Sequence, residues 1–253
     1  MAGLKVITPP AAEPVKIEEV RAQLRIELDD ESYDDILQPL ITAAREWCEG
    51  YQNRAYVEQT LELALDYWPR GQTIELPRPP LRSVTSVVYG SETWDSANYA
   101  VDDYSFIGRI VAKSWPPGAL PDVNGIKVRY VAGYEPVEGE VITGESLGTG
   151  DGEQQTYTVS HYPVKLDSVT LYFDGTPTSS YTIDYDTGTV TCAPAEGVVV
   201  TIDYTEATDC TANVPQRIKQ AILLLVTHWF DNGMCDPPPA VYSLLNLERV
   251  VPV

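Results

Sequence analysis

Between Glu138 and Thr208 the chain carries twelve acidic side chains, one lysine and no arginine. The stretch has a formal charge of −11, more than half of the −20 carried by all 253 residues. It is also rich in Thr, Tyr, Val and Gly, and Asp174-Gly175 and Asp186-Thr187-Gly188 are turn signals between short β-forming runs. The pattern predicts strands at 155–159, 168–173, 181–184, 189–192 and 198–204. Short strands at this spacing predict a small all-β, sandwich-like domain.

The flanks have a different period. Ile17, Val20, Leu24 and Leu28 recur three and four residues apart and predict a helix. A second helix is expected after Ser32, with Ile36, Leu40, Ala44, Trp47 and Tyr51 on one face and Gly50 and Asn53 near its end. Pro39 falls in its first two turns, where proline costs least. Strands are then expected at 56–67, 73–76, 84–89, 99–101, 109–111 and 126–131. A closing helix opens at Val214-Pro215, runs through Ile218, Ile222, Leu225, Val226 and Trp229, and stops at Asn232-Gly233. The leading 1–14 is Pro/Ala-rich and expected to be extended. The first part has no helix left to seal its core, and the closing helix supplies one. The expected fold is therefore α+β. A helical core domain with a small β-sheet region is formed by 1–137 and 209–253, and an all-β domain is inserted at 138–208.

Composition excludes several classes. No apolar run approaches the eighteen or so residues of a membrane span, so no membrane partner is expected. The N-terminus lacks a signal-peptide pattern, which predicts folding in a cytoplasm. Cys48, Cys192, Cys210 and Cys235 form no C-x-x-C pair, as neither a zinc site nor a disulfide framework would leave them. Few basic clusters are available to wrap nucleic acid.

The search for chemistry returns no catalytic, cofactor-binding or metal-binding residue. His161 and His228 lie outside any H-E-x-x-H spacing, and no G-x-S-x-G elbow or P-loop lysine occurs. Gly144–Gly152 is acidic and lacks a strand-to-helix context, so it reads as a linker or hairpin. The acids from Asp29 to Asp35 suit a helix start. Asp184 and Asp186 begin a calcium-like loop but lack its later ligands. The expectation is a protein that is not an enzyme and needs no cofactor.

Five segments, in order, resemble the head–tail connector (adaptor) family of long-tailed bacteriophages. They are Ile17-Glu-Glu-Val-Arg-Ala-Gln-Leu-Arg-Ile with Ile41-Thr-Ala-Ala-Arg-Glu-Trp-Cys-Glu; Leu76-Pro-Arg-Pro-Pro-Leu-Arg-Ser-Val-Thr-Ser-Val; Gly108-Arg-Ile-Val; Ile126-Lys-Val-Arg-Tyr-Val-Ala-Gly-Tyr; and Val214-Pro-Gln-Arg-Ile-Lys-Gln-Ala-Ile with Pro238-Pro-Ala-Val. They span roughly 15–134 and 213–250, and the β stretch between them departs from the family pattern. The resemblance implies a virion structural protein of the neck, assembled in the host cytoplasm. It implies a homo-oligomeric ring, usually a dodecamer, beneath the portal protein, which extends the DNA channel and receives a downstream neck or tail protein. Double-stranded DNA would pass through the lumen without sequence-specific binding, and acidic walls favour that by withholding phosphate contacts. The insert is expected to face outward, against the capsid, a decoration protein or a neighbouring subunit.

The segment from Pro237 onward is the expected portal-docking element. Pro237 and Pro238 pre-order it, and Val241, Leu244, Leu245, Leu247, Val250 and Val251 are its apolar anchors. The rival readings are another neck part, a stopper or tail-completion protein, and a carbohydrate- or surface-binding module with the β domain as its head.

Overall fold

The computed structural model describes residues 2–250. The chain divides into two compact units, one of 1–136 with 210–253 and one of 137–209.

The first unit begins with β1 (Ala2–Thr8), α1 (Ile17–Leu24) and α2 (Asp34–Gln52). Arg25 takes a left-handed conformation (φ 61°) and ends α1 one turn earlier than Leu28, which is left exposed. The second helix starts at Asp34 rather than at a Ser32 cap, because the Ser32 amide turns back to Asp30 Oδ1. It passes Pro39 and Gly50 without a break and stops where Asn53 becomes left-handed (φ 54°).

Six antiparallel strands follow within this unit: β2 (Gln59–Leu65), β3 (Thr73–Glu75), β4 (Leu81–Tyr89), β5 (Glu92–Trp94), β6 (Tyr99–Asp102) and β7 (Arg109–Ala112). A seventh, β8 (Ile126–Ala132), completes a sheet ordered β1-β2-β8-β4-β5, and β3-β7-β6 form a second. Ile126, Val128, Tyr130 and Ala132 of β8 are buried while Lys127 and Arg129 are exposed, so the period-two pattern orients that sheet. After residue 210 come α3 (Gln216–Asn232) and α4 (Pro239–Leu245).

The helices share one core. Leu37, Ile41, Ala44 and Cys48 of α2 meet Ile218, Ile222, Leu225 and Trp229 of α3, with Val241 and Leu245 of α4. Each such fully buried aliphatic side chain contributes about 1.5–3 kcal/mol. A charged network lies within this layer. Glu49 is 2% exposed and accepts from the Tyr56 amide (2.8 Å), Gln59 Nε2 (3.0 Å) and Arg45 (3.0 Å), while Arg45 also reaches Glu13 at 2.8 Å. Burial pushes the Glu49 carboxyl up, and these donors pull only partly against it.

The second unit contains β9 (Val141–Thr149), β10 (Gln155–Thr158), β11 (Thr170–Phe173), β12 (Thr176–Thr178), β13 (Tyr181–Asp184), β14 (Thr189–Cys192) and β15 (Val199–Thr205). Sheets ordered β12-β11-β15-β9 and β10-β14-β13 close on Leu171, Val190, Val200, Ile202 and Tyr204. Gly144–Gly152 is not a linker. Its first six residues belong to β9, which pairs along β15, and Gly150 exchanges main-chain bonds with Val198 and Gly197. Register shifts against β15 absorb the glycines that disguise the strand. Gly139 is required by close approach, because a Cβ there would lie 1.9 Å from the Glu206 carbonyl oxygen.

Helices and antiparallel sheets together make the chain α+β, as its periodicities predict.

Candidate functional site

The C-terminal segment is tied to the end of α2 by polar contacts. Tyr51 Oη donates to Asn246 Oδ1 (2.6 Å), Gln52 Nε2 to the Leu245 carbonyl (2.5 Å) and Asn53 Nδ2 to the Val250 carbonyl (2.8 Å). The Val250 amide returns a bond to the Gln52 carbonyl at 2.9 Å. Arg249 donates to the Tyr51 carbonyl (3.0 Å) and lies 4.4 Å over the Tyr51 ring. Glu248 receives both Arg54 and Arg217. Arg54 is buried, with the Phe106 and Tyr134 rings each 5.2 Å away. Burial pushes the Glu248 carboxyl up, but the two guanidiniums outweigh it and hold it below the usual range.

This geometry sorts the expected docking residues. Val241 and Leu245 are fully buried in the helical core of their own unit, because α4 packs on α3, and Leu244 packs partly against it. Pro237 and Pro238 are half-buried. Leu247 is 77% exposed. Val250 is half-buried, and Val251 lies outside the described residues. The exposed aliphatic surface of the segment therefore centres on Leu247.

Val250 also lines an apolar groove of about 700 Å3, with Leu4 from β1, Leu63 and Leu65 from β2, Ile74 from β3 and Ile107. A groove of this size is within the range of ligand and peptide clefts. The Pro/Ala-rich composition of 1–14 does not disclose this groove. The signal present was the apolar–polar–apolar run Leu4-Lys5-Val6, now seen as the edge strand β1. Near Ile107, the β6–β7 loop is held by Asp102, which accepts from the Tyr104 and Ser105 amides, Ser105 Oγ and Arg109 Nε. Those donors hold the Asp102 carboxyl at about 2, and the loop displays Tyr104, which is 99% exposed.

The remaining candidates are dispersed. Asp184 Oδ1 accepts from the Asp186 and Thr187 amides and closes the β13–β14 turn, so the carboxylate shapes a hairpin. The His161 amide donates to Tyr204 Oη at 3.1 Å. The His228 ring lies 3.1 Å from Cys235 Sγ and 3.1 Å from the Asp236 carbonyl oxygen at the end of α3. Arg21 binds Asp34 and the Leu28 carbonyl, which uses one acid of the 29–35 cluster in joining α1 to α2. Among the described residues, no three His, Cys, Asp or Glu side chains are grouped to hold a metal ion. No helix of the described residues is long and apolar enough to cross a membrane.

No protein-family model and no curated protein matches the chain. Solved structures share its fold. A chain from the neck of an empty gene transfer agent (GTA) particle, computed with C6 symmetry, is similar with a TM-score of 0.55 and 17% identity, over 99% of this chain and 97% of that one. A chain from the virion of a native GTA particle is similar with a TM-score of 0.53 and 18% identity, over 99% of this chain and 96% of that one. Both alignments run through the helical unit and the acidic β unit.

Proposed function

We propose that this chain is a structural subunit of the neck of a phage-like particle, the adaptor that joins the head to the tail, and that it is not an enzyme. The observation that carries the reading is the extent of the likeness: a neck chain of a GTA particle shares the fold over 99% of this chain. Five sequence segments that resemble head–tail connectors support the same assignment.

On this reading the adaptor forms a homo-oligomeric ring below the portal, probed first as a dodecamer. Head-to-tail contacts that close through a rotation generate such a ring. The first unit is the connector core, and 137–209 is an insert that faces outward, toward the capsid, a decoration protein or a neighbouring subunit. The segment from Pro237 docks on the portal through Leu247 and the edge of Leu244, since Val241 and Leu245 are occupied within their own unit. A downstream neck or tail protein binds the opposite face. DNA crosses the lumen without sequence-specific contacts, consistent with a chain of net charge −20.

Native mass spectrometry with negative-stain imaging, alone and with the cognate portal, tests this. A closed ring, free or templated by the portal, is the expected result. A monomer that ignores the portal but assembles with a tail protein moves the chain to the stopper or tail-completion position. A monomer that joins neither overturns the neck reading.

A further inference from the structure

We propose that the free edge of β1 is a docking site for an extended segment of another protein, one that alternates apolar and acidic residues. The inference goes beyond the neck reading and does not depend on it.

β1 is the edge strand of the five-stranded sheet. It pairs with β2 from Ala2↔Leu65 to Thr8↔Thr60, and among the described residues no main-chain bond reaches its other side. Gly3 through Thr8 are all exposed. Edge strands are usually blunted by proline, charge or a covering element, because their unpaired amides and carbonyls template further pairing. Here the prolines fall at 9 and 10, beyond the strand, and Lys5 is its single charge. Leu4, Val6 and Ile7 remain 40%, 49% and 39% exposed. An ordered strand with so little of its own apolar surface covered is suited to gaining a neighbour.

The two faces at this edge differ, and the difference defines the partner. The register sets Leu4 beside Leu63 and Val6 beside Leu61, on the buried side of the sheet. Leu4, Leu63 and Leu65 line the apolar groove there. The opposite face carries Lys5, then Glu62, then Arg129 in one cross-strand row, with Gly3, Ala64 and Lys127 in the next. Arg129 holds Glu62 at 2.8 Å within the sheet, so Lys5 is the basic side chain next to the free edge, on a chain of net charge −20. Side chains of an added strand would alternate between the groove and the face that carries Lys5. Apolar residues match the first, and acidic residues match the second. A second copy of β1 matches less well, since two-fold antiparallel pairing centred on this strand sets Lys5 opposite Lys5.

The test uses the full-length chain and a capped heptapeptide, Thr-Val-Asp-Val-Glu-Val-Thr, against the same peptide with lysine at both acidic positions. Calorimetric titration should find the acidic peptide tighter by about fivefold or more. Amide hydrogen exchange of residues 3–8 should slow when it binds. Lys5→Glu and Leu4→Asp should each weaken binding by about fivefold, and both alter exposed side chains, so an unchanged near-UV circular dichroism spectrum certifies the fold. No binding at millimolar peptide, equal binding of the two peptides, or binding that leaves residues 3–8 unprotected would each overturn the proposal. So would a concentration-dependent dimer that protects the same amides without peptide, which would make the occupant a second copy.

Discussion

The two units of this chain satisfy their carboxylates by different means. The helical unit holds sixteen basic side chains against twenty-four acidic ones, and the β unit holds one lysine against thirteen acids. In the helical unit guanidinium groups go inside: Arg21, Arg45 and Arg54 are buried and meet Asp34, Glu13 with Glu49, and Glu248. In the β unit, amides and hydroxyls replace them. Asp174 accepts from the Val199 amide, Asp203 from the Gly144 amide and Tyr172, and Glu145 from Ser160 and Tyr204. The first arrangement fixes long-range geometry between helices and the C-terminal segment. The second fixes hairpins and strand ends locally, and leaves the unit strongly negative outside. A buried ion pair makes a unit sensitive to the loss of one partner, whereas a carboxylate bound to amides leaves a surface free to be selected for its charge.

The contrast is broken most severely at Arg45. Arg45→Met removes the nearer guanidinium from buried Glu49, leaving Arg78 at 3.9 Å, and should cost the helical unit about 3–5 kcal/mol. All five tryptophans lie in that unit, so urea unfolding followed by tryptophan fluorescence reads it alone. A change below about 1 kcal/mol would mean that Tyr56, Gln59 and Arg78 carry Glu49 without Arg45. Leu171→Ala removes a fully buried side chain from the β unit and should cost about 2–5 kcal/mol there. Hydrogen exchange in 141–205 should accelerate while the tryptophan transition stays put, and a shifted tryptophan transition would show that the units unfold together.

Titration sharpens the comparison, because the signs oppose. Burial raises Glu49 above its unfolded value, so its contribution is fully present below the unfolded carboxylate range and is lost as pH rises through the raised value. Burial also pushes Glu145 up, but hydrogen bonds from Tyr204 and Ser160 win and depress it. Its contribution is present above the unfolded value and is lost as pH falls through the depressed one. Glu49→Gln should therefore flatten the pH dependence of the tryptophan transition on its alkaline side. Glu145→Gln should reduce acid sensitivity in the exchange of the β unit. The same sign for both variants would contradict the assignment. The smallest effect is expected at Glu153→Gln and Glu196→Gln, exposed acids whose neutralisation should shift stability by no more than about 0.5 kcal/mol.

These regions also differed in how much the sequence disclosed. The hairpin strands β13 and β14 and the face of α3 are legible, since strong turn signals or repeated apolar spacing define them. The expected face of α2 is offset by about one residue: Leu37, Ile41, Ala44 and Cys48 face the core, Ile36 is 54% exposed, and Leu40, Trp47 and Tyr51 are only partly buried, because the helix carries apolar residues on both adjoining stripes. β9 was hidden by its own glycines, because its strand character comes from pairing with β15, sixty residues away in places, and not from local propensity. β1 was hidden by the proline-rich run after it. In the C-terminal segment, spacing singled out the right residues as apolar but could not separate core from surface. Val241 and Leu245 fall on the buried side of α4, and Leu247 falls beyond it. The Glu248 clamp joins residues nearly two hundred positions apart, which no local pattern encodes.

The most direct test of the neck assignment is a cryo-EM reconstruction of the head–tail junction of particles that contain this chain. The account predicts ring density for it between portal and tail, with the β unit outside the channel. Density at the tail tip or on the capsid faces, and none at the junction, would contradict it.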